Sequence, residues 1–136
     1  MKTTLNPYLH FNGDCEKAMN FYKSVFGGEL ALTKFGDMPM PGNDADPAKI
    51  MHSELKATDG FNFMASDGGK GTMNTDNFSI SLNGEDAETL KKYFDALAEG
   101  GKVTVPVAKH PWGAEFGMLK DQFGIDWMVN IVSEEK

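Results

Sequence analysis

His52 and Glu54 stand two residues apart in Met51-His52-Ser53-Glu54-Leu55. On an extended chain that spacing puts an imidazole and a carboxylate on one face. His10, in Leu9-His10-Phe11, lies on the polar side of another alternating stretch. If the two faces converge, they form a two-His, one-carboxylate set able to hold a divalent ion. Apart from a metal, the same groups are hydrogen-bonded or solvated side chains. His110 precedes Pro111 and Trp112 and reads as a turn residue. Cys15 falls in the first turn of a helical stretch, where the dipole favours a thiolate. Asp14 and Glu16 beside it oppose that charge, so it reads as an ordinary helix-start cysteine. The chain has no Gly-x-Ser-x-Gly elbow, P-loop or dinucleotide fingerprint. Gly68-Gly69-Lys70-Gly71 is glycine-rich, but without P-loop spacing or a following helix it reads as a linker.

These groups need elements to position them, and the hydrophobic period supplies them. Ala18, Phe21, Tyr22, Val25 and Phe26 recur at helical spacing, with Asp14 where an N-cap belongs and Gly27-Gly28 closing the run. Leu90, Tyr93, Phe94, Leu97 and Ala98 repeat the pattern, closed by Gly100-Gly101. Both stripes read as core-facing. Leu5, Pro7, Leu9 and Phe11 alternate with Asn6, Tyr8 and His10, and similar alternation marks Phe61–Ser66, Asn77–Leu82 and Ile125–Ile131. Trp127 falls in the apolar register of the last stretch and Met128 in the opposite one. The spacing predicts strands in these four stretches and helices at roughly 14–26 and 86–99. Residues 36–49, with three Pro, two Gly and three Asp, preclude a regular element, and the glycine-rich 67–76 reads as a second, flexible stretch. In the first of these, Met38 and Met40 read as a pocket cover or simply as parts of a loop. The non-core strand faces carry Asn, Ser, Tyr, His and Met. That mixture fits a small-molecule cleft or a solvated outer face.

Asn12-Gly13 and Asn83-Gly84 lie 71 residues apart in matching strand–turn–helix–Gly-Gly–strand contexts. This predicts an internal duplication. The chain has 136 residues, 40% of them hydrophobic and 24% charged, which is the composition of a globular protein. Thirteen lysines and no arginine face 20 acidic residues, for a net charge of −7. This balance argues against nucleic acid and anionic membrane surfaces as partners. With no apolar run long enough to span a bilayer, no leader-like start and a single cysteine, the chain reads as cytoplasmic.

With duplication and strand parity together, the sequence resembles the vicinal oxygen chelate superfamily of glyoxalase, bleomycin-resistance and dioxygenase proteins. Within it, the chain resembles the PhnB-like group, often labelled 3-demethylubiquinone methyltransferase-like. The matching residues are Asn6-Pro7-Tyr8-Leu9-His10-Phe11-Asn12-Gly13, Phe21-Tyr22-Lys23-Ser24-Val25-Phe26-Gly27-Gly28 and Phe35-Gly36-Asp37-Met38-Pro39. They continue with Met51–Leu55, Met64–Asp67, Trp112-Gly113, Phe116-Gly117 and Asp121–Asn130. The resemblance implies an α+β fold of tandem βαβββ modules forming a curved mixed sheet around a cavity, with strands expected at roughly 4–11, 29–36, 49–58, 61–67, 76–83, 102–109, 115–121 and 125–132. The whole chain, 1–136, would be a single domain: module one at about 1–67, a linker at 68–75 and module two at about 76–132. It also implies a homodimer, which would give the sheet edges partners.

Metal-dependent members of the superfamily carry His, Glu or Gln on the first and last strand of each module. Carried over, those positions fall on Asn6 (or Pro7), Met64, Asn77 and Met128. Two amides and two thioethers make a poor site for Zn, Ni, Fe or Mn. Nor does the chain have the βαβ run with a glycine-rich turn expected around S-adenosylmethionine. The expected function is therefore metal-free binding of a small molecule, with no cofactor. The cavity candidates are Tyr8, His10, His52, Glu54, Asn77, Trp112, Phe116 and Met128. The alternative is a metal-dependent lyase, isomerase or dioxygenase at His10, His52 and Glu54. A structural protein with a filled cavity ranks third, because Asn62, Asn77, Ser79 and Ser81 are too small and polar to fill one.

Overall fold

The computed structural model describes residues 3–37, 46–67, 78–111 and 113–132. Asn77, Trp112, Met38, Met40 and the expected linker lie outside them. The elements run β1 (Tyr8–His10), α1 (Cys15–Phe26), β2 (Glu29–Lys34), β3 (Ile50–Lys56), β4 (Asn62–Ser66), β5 (Ile80–Gly84), α2 (Ala87–Ala98), β6 (Lys102–Lys109), β7 (Glu115–Lys120) and β8 (Asp126–Ile131). A short 3-10 turn covers Phe35–Asp37. The chain divides into two compact units, Met1–Met73 and Asn74–Lys136. The expected curved sheet is realised as two four-stranded mixed sheets, ordered β1-β4-β3-β2 and β5-β8-β7-β6. In each, the first strand pairs parallel to the last and the other pairings are antiparallel. Both units thus have the same βαβββ topology.

In the first unit, Cys15, Ala18, Met19, Tyr22 and Phe26 form the buried stripe of α1. The Tyr22 and Phe26 rings meet Phe63 of β4 edge-on, at 5.5 and 6.3 Å. In the second, Leu90, Phe94 and Leu97 of α2 are buried, as are Leu119, Trp127, Val129 and Ile131 of its sheet. The expected stripes were wider: Phe21, Val25 and Tyr93 sit at the helix borders, half-buried.

The two Gly-Gly pairs serve a common purpose. A Cβ on Gly28 would run into the carbonyl of Lys56, and one on Gly101 into the carbonyl of Lys120. Each glycine lets its hairpin partner approach directly after a helix. The Asn-Gly pairs are not equivalent, however. Met64 pairs with Tyr8 and Glu54, and Met128 with Ser81 and Met118. Matched through these rows, Tyr8 corresponds to Ser81, His10 to Asn83, His52 to Phe116 and Glu54 to Met118. Asn83-Gly84 therefore matches His10-Phe11, two residues away from Asn12-Gly13. The repeat stands on topology and register, not on that motif.

Three further expectations change. Strand β1 starts only at Tyr8, because Pro7 has no N–H to donate and Asn6 turns aside to bond Thr4. Leu5 and Phe78, expected on the apolar faces, are 97% and 51% exposed. Asp14 is the N-cap residue of α1 but makes no side-chain capping bond. In α2, by contrast, Asp86 accepts from the Thr89 amide at 3.0 Å and its hydroxyl at 2.8 Å. Those bonds hold the Asp86 carboxyl below its ordinary pKa.

Candidate functional site

Alternation along the first sheet buries Leu9, Ser53, Leu55, Phe63 and Ala65 and turns Tyr8, His10, His52, Glu54, Asn62 and Met64 the other way. On this second face the Tyr8 hydroxyl lies 3.1 Å from His52 Nδ1. Either group can donate in this bond, according to the tautomer of the imidazole. The Tyr8 ring lies 5.1 Å from His10 at 33° and 5.8 Å from His52 at 38°. Tyr8 is thus the centre of a three-ring cluster, yet 39% of it remains exposed. Glu54, in the same register row as Tyr8 across Met64, accepts from Asn62 Nδ2 at 2.8 Å through Oε2.

Four of the sequence-selected residues therefore share one face. Phe116 and Met128 belong to the second unit, on the sheet face turned away from Trp127. Met128 is half-buried between Ser81 and Met118, and the Phe116 ring meets His110 edge-on at 5.5 Å. The matched rows make the two modules unequal. The first carries Tyr8, His10, His52 and Glu54 where the second carries Ser81, Asn83, Phe116 and Met118. At these matched positions the titratable groups belong to the first module alone. A separate hollow of about 410 Å³ lies on the other side of the second sheet, between α2 and β6, and is lined by Phe94, Val103, Pro106 and Val107 with Lys91 and Asp95. No sequence-selected residue lines it.

The metal that the fold suggests does not fit these residues. Among the described residues no three His, Cys, Asp or Glu side chains gather as a ligand set. His10, His52 and Glu54 are drawn instead into contacts with Tyr8 and Asn62. At the carried-over positions, Asn6 precedes β1, and Met64 and Met128 offer only thioethers.

Sequence reasoning missed Asp67, assigning it to a flexible stretch. It is 7% exposed. One carboxylate oxygen accepts from the amides of Gly13 and Cys15 at 2.8 and 3.0 Å, and the other from Ile50 at 2.9 Å. Asp67 thus caps α1 from a distant strand in place of Asp14. Asp121 is buried likewise, accepting from the amides of Phe123 and Ile125 and from Trp127 Nε1 at 2.8, 3.1 and 2.8 Å.

Cys15 is an ordinary buried thiol. It is fully buried, and its Sγ lies 3.6 Å from Ser53 Oγ. Burial pushes its pKa up from 9.0 to about 11, with added repulsion from Asp67 and Glu16. A folded pKa above the unfolded one favours the native state fully below pH 9, and this contribution is lost as pH rises from 9 to 11. Stability should therefore fall by roughly 2–3 kcal/mol across that window. A Cys15→Ser variant should show a flatter decline in urea titrations, and native protein at pH 8 should react with a thiol reagent only as fast as it opens.

Tandem βαβββ modules, each with one helix on a mixed four-stranded sheet, define a protein of the vicinal oxygen chelate, glyoxalase-like fold. The profile of the 3-demethylubiquinone-9 3-methyltransferase family matches residues 3–130, and the chain belongs to that PhnB-like family. It is 31% identical to protein YjdN of Escherichia coli K12, over 96% of this chain and 97% of that one. The crystal structure of PA1353 from Pseudomonas aeruginosa superposes with a TM-score of 0.82 at 41% identity, covering 98% of this chain and 100% of that one. The PhnB protein from Bacillus cereus does so with a TM-score of 0.76 at 26% identity, covering 96% and 100%. The fold alone extends to a glyoxylase/bleomycin resistance protein/dioxygenase domain from Frankia, with a TM-score of 0.69 at 14% identity, covering 100% of this chain and 96% of that one.

The family's name implies S-adenosylmethionine, but the β1–α1 turn does not fit it. Its amides at Gly13 and Cys15 already bind the Asp67 carboxylate. Among the described residues no helix is long and apolar enough to cross a membrane.

Proposed function

We propose that the protein binds a small organic molecule without a metal, on the outward face of the first module's sheet. The observation that supports this is the Tyr8–His52 hydrogen bond within a ring cluster that remains partly exposed. Holding an aromatic side chain in one orientation lowers the ordering cost of stacking a ligand on it. Tyr8, His10, His52 and Glu54 form this site, while Phe116 and Met128 are candidates on the second unit's own sheet face. The two units work together as one domain over 1–136. Each sheet keeps two edge strands, and a homodimer of this chain would give edges a partner. The cytoplasm suits a chain whose single cysteine is buried. Neither nucleic acid nor membrane is a proposed partner.

A screen of small aromatic compounds by thermal shift tests the reading. A ligand at a hundred times its Kd should stabilise the native protein by about 2.7 kcal/mol. That gain should disappear in Tyr8→Leu and shrink in His52→Ala. EDTA should leave the melting temperature unchanged. Elemental analysis that finds about one divalent metal per chain, lost in His52→Ala, would overturn the metal-free reading in favour of a lyase, isomerase or dioxygenase. Light scattering should give twice the chain mass, and a monomer at micromolar concentration would count against the dimer.

A further inference from the structure

We infer that the first-module face selects aromatic amines over aromatic acids; this rests on the reading of that face as a ligand site. Tyr8 supplies a fixed ring with an exposed surface, held by His52 and flanked by His10. The same register row supplies the charge. Glu54 and Tyr8 are both paired to Met64, so they flank one thioether on the same face. Asn62 occupies only Oε2 of Glu54. Its second oxygen can accept a hydrogen bond from an ammonium or amino group beside the ring, and a charge-assisted bond of that kind is stronger than a neutral one. A π-face is also attractive to a cation.

An acid meets the opposite situation. The chain has no arginine, so bidentate pairing with a carboxylate or phosphonate is impossible. The lysine on this face, Lys56, stands in one row with Glu29, so its charge is opposed. A carboxylate placed over Tyr8 would face Glu54 and a net charge of −7. The second module has Met118 where the first has Glu54 and Ser81 where it has Tyr8. Amine selectivity is therefore a property of the first module.

Calorimetric titration of the full chain with four matched probes tests this. They are 2-naphthylmethylamine, 2-naphthylmethanol, 2-naphthoate and cyclohexylmethylamine. The naphthyl amine should bind at least tenfold more tightly than the naphthoate and the cyclohexyl amine. Glu54→Gln, which keeps the shape and the carbonyl acceptor for Asn62, should weaken the naphthyl amine about tenfold and the alcohol by much less. The preference for amine should narrow as salt is raised, because the discrimination is electrostatic. Naphthoate binding as tightly as the amine, or an amine-to-alcohol ratio unaffected by Glu54→Gln, would overturn the inference and leave the ligand face standing. Equal binding of the cyclohexyl amine would overturn its aromatic part. Failure of all three naphthyl probes to bind, or binding insensitive to Tyr8→Leu, would instead defeat the ligand-face reading itself.

Discussion

Trp127→Ala is expected to destabilise the protein by about 3–5 kcal/mol, as for a buried aromatic cut to Ala. Trp127 is 1% exposed, on the side of β8 that faces the core with Val129 and Ile131. Its indole N–H also donates to Asp121 Oδ2 at 2.8 Å. Removing the ring therefore opens a cavity and leaves a carboxylate oxygen, in a residue only 3% exposed, without that donor. Trp127→Phe separates the two effects: it keeps most of the packing and loses the bond, for about 1–3 kcal/mol. Met128→Ala, on the opposite face and half-buried, should cost less than Trp127→Ala. In thermal melts Trp127→Ala should fall roughly 10–20 °C below the native chain. If Met128→Ala melted lower than Trp127→Ala, the face assignment of β8 would be wrong.

The two helices and strands β1, β4, β5 and β8 were legible because each has its own hydrophobic period, and a period is a local property. Helix ends followed Asp and Gly-Gly signals to within a residue or two. What failed depended on distant partners. Leu5 continues the alternation of β1, but the strand cannot form a ladder through Pro7, so the leucine projects into solvent. The Asn-Gly pairs look alike in sequence, yet strand pairing to β4 and β8 shifts one against the other by two residues. The candidate face was partly legible, because parity alone places Tyr8 with His10, and His52 with Glu54. The hydrogen bond joining those pairs spans 44 residues. Nothing local predicts it. Asp67 lies where the expected strand 61–67 meets the glycine-rich stretch 67–76, and neither local pattern points to its partners. Its partners lie 54, 52 and 17 residues away.

Those three bonds make Asp67→Ala the second substitution with a large expected effect, at about 3–5 kcal/mol. The amides of Gly13, Cys15 and Ile50 all point at one carboxylate. A methyl group in its place strands three donors, each costing on the order of 1–3 kcal/mol where water cannot reach it. Asp14 offers no substitute, since its side chain does not cap the helix. Asp67→Asn should fall between. Its carbonyl can still accept from Gly13 and Cys15, but its amide group would present donors to the Ile50 N–H. Hydrogen exchange gives the local readout. In Asp67→Asn the Ile50 amide should lose protection while the Cys15 amide keeps most of it. In Asp67→Ala both should exchange faster, and Cys15 should become open to thiol reagents as the first turn of α1 loosens. An Asp67→Ala protein that melts within about 2 °C of the native chain would mean that α1 is anchored by its packing on β3 and β4 rather than by this carboxylate.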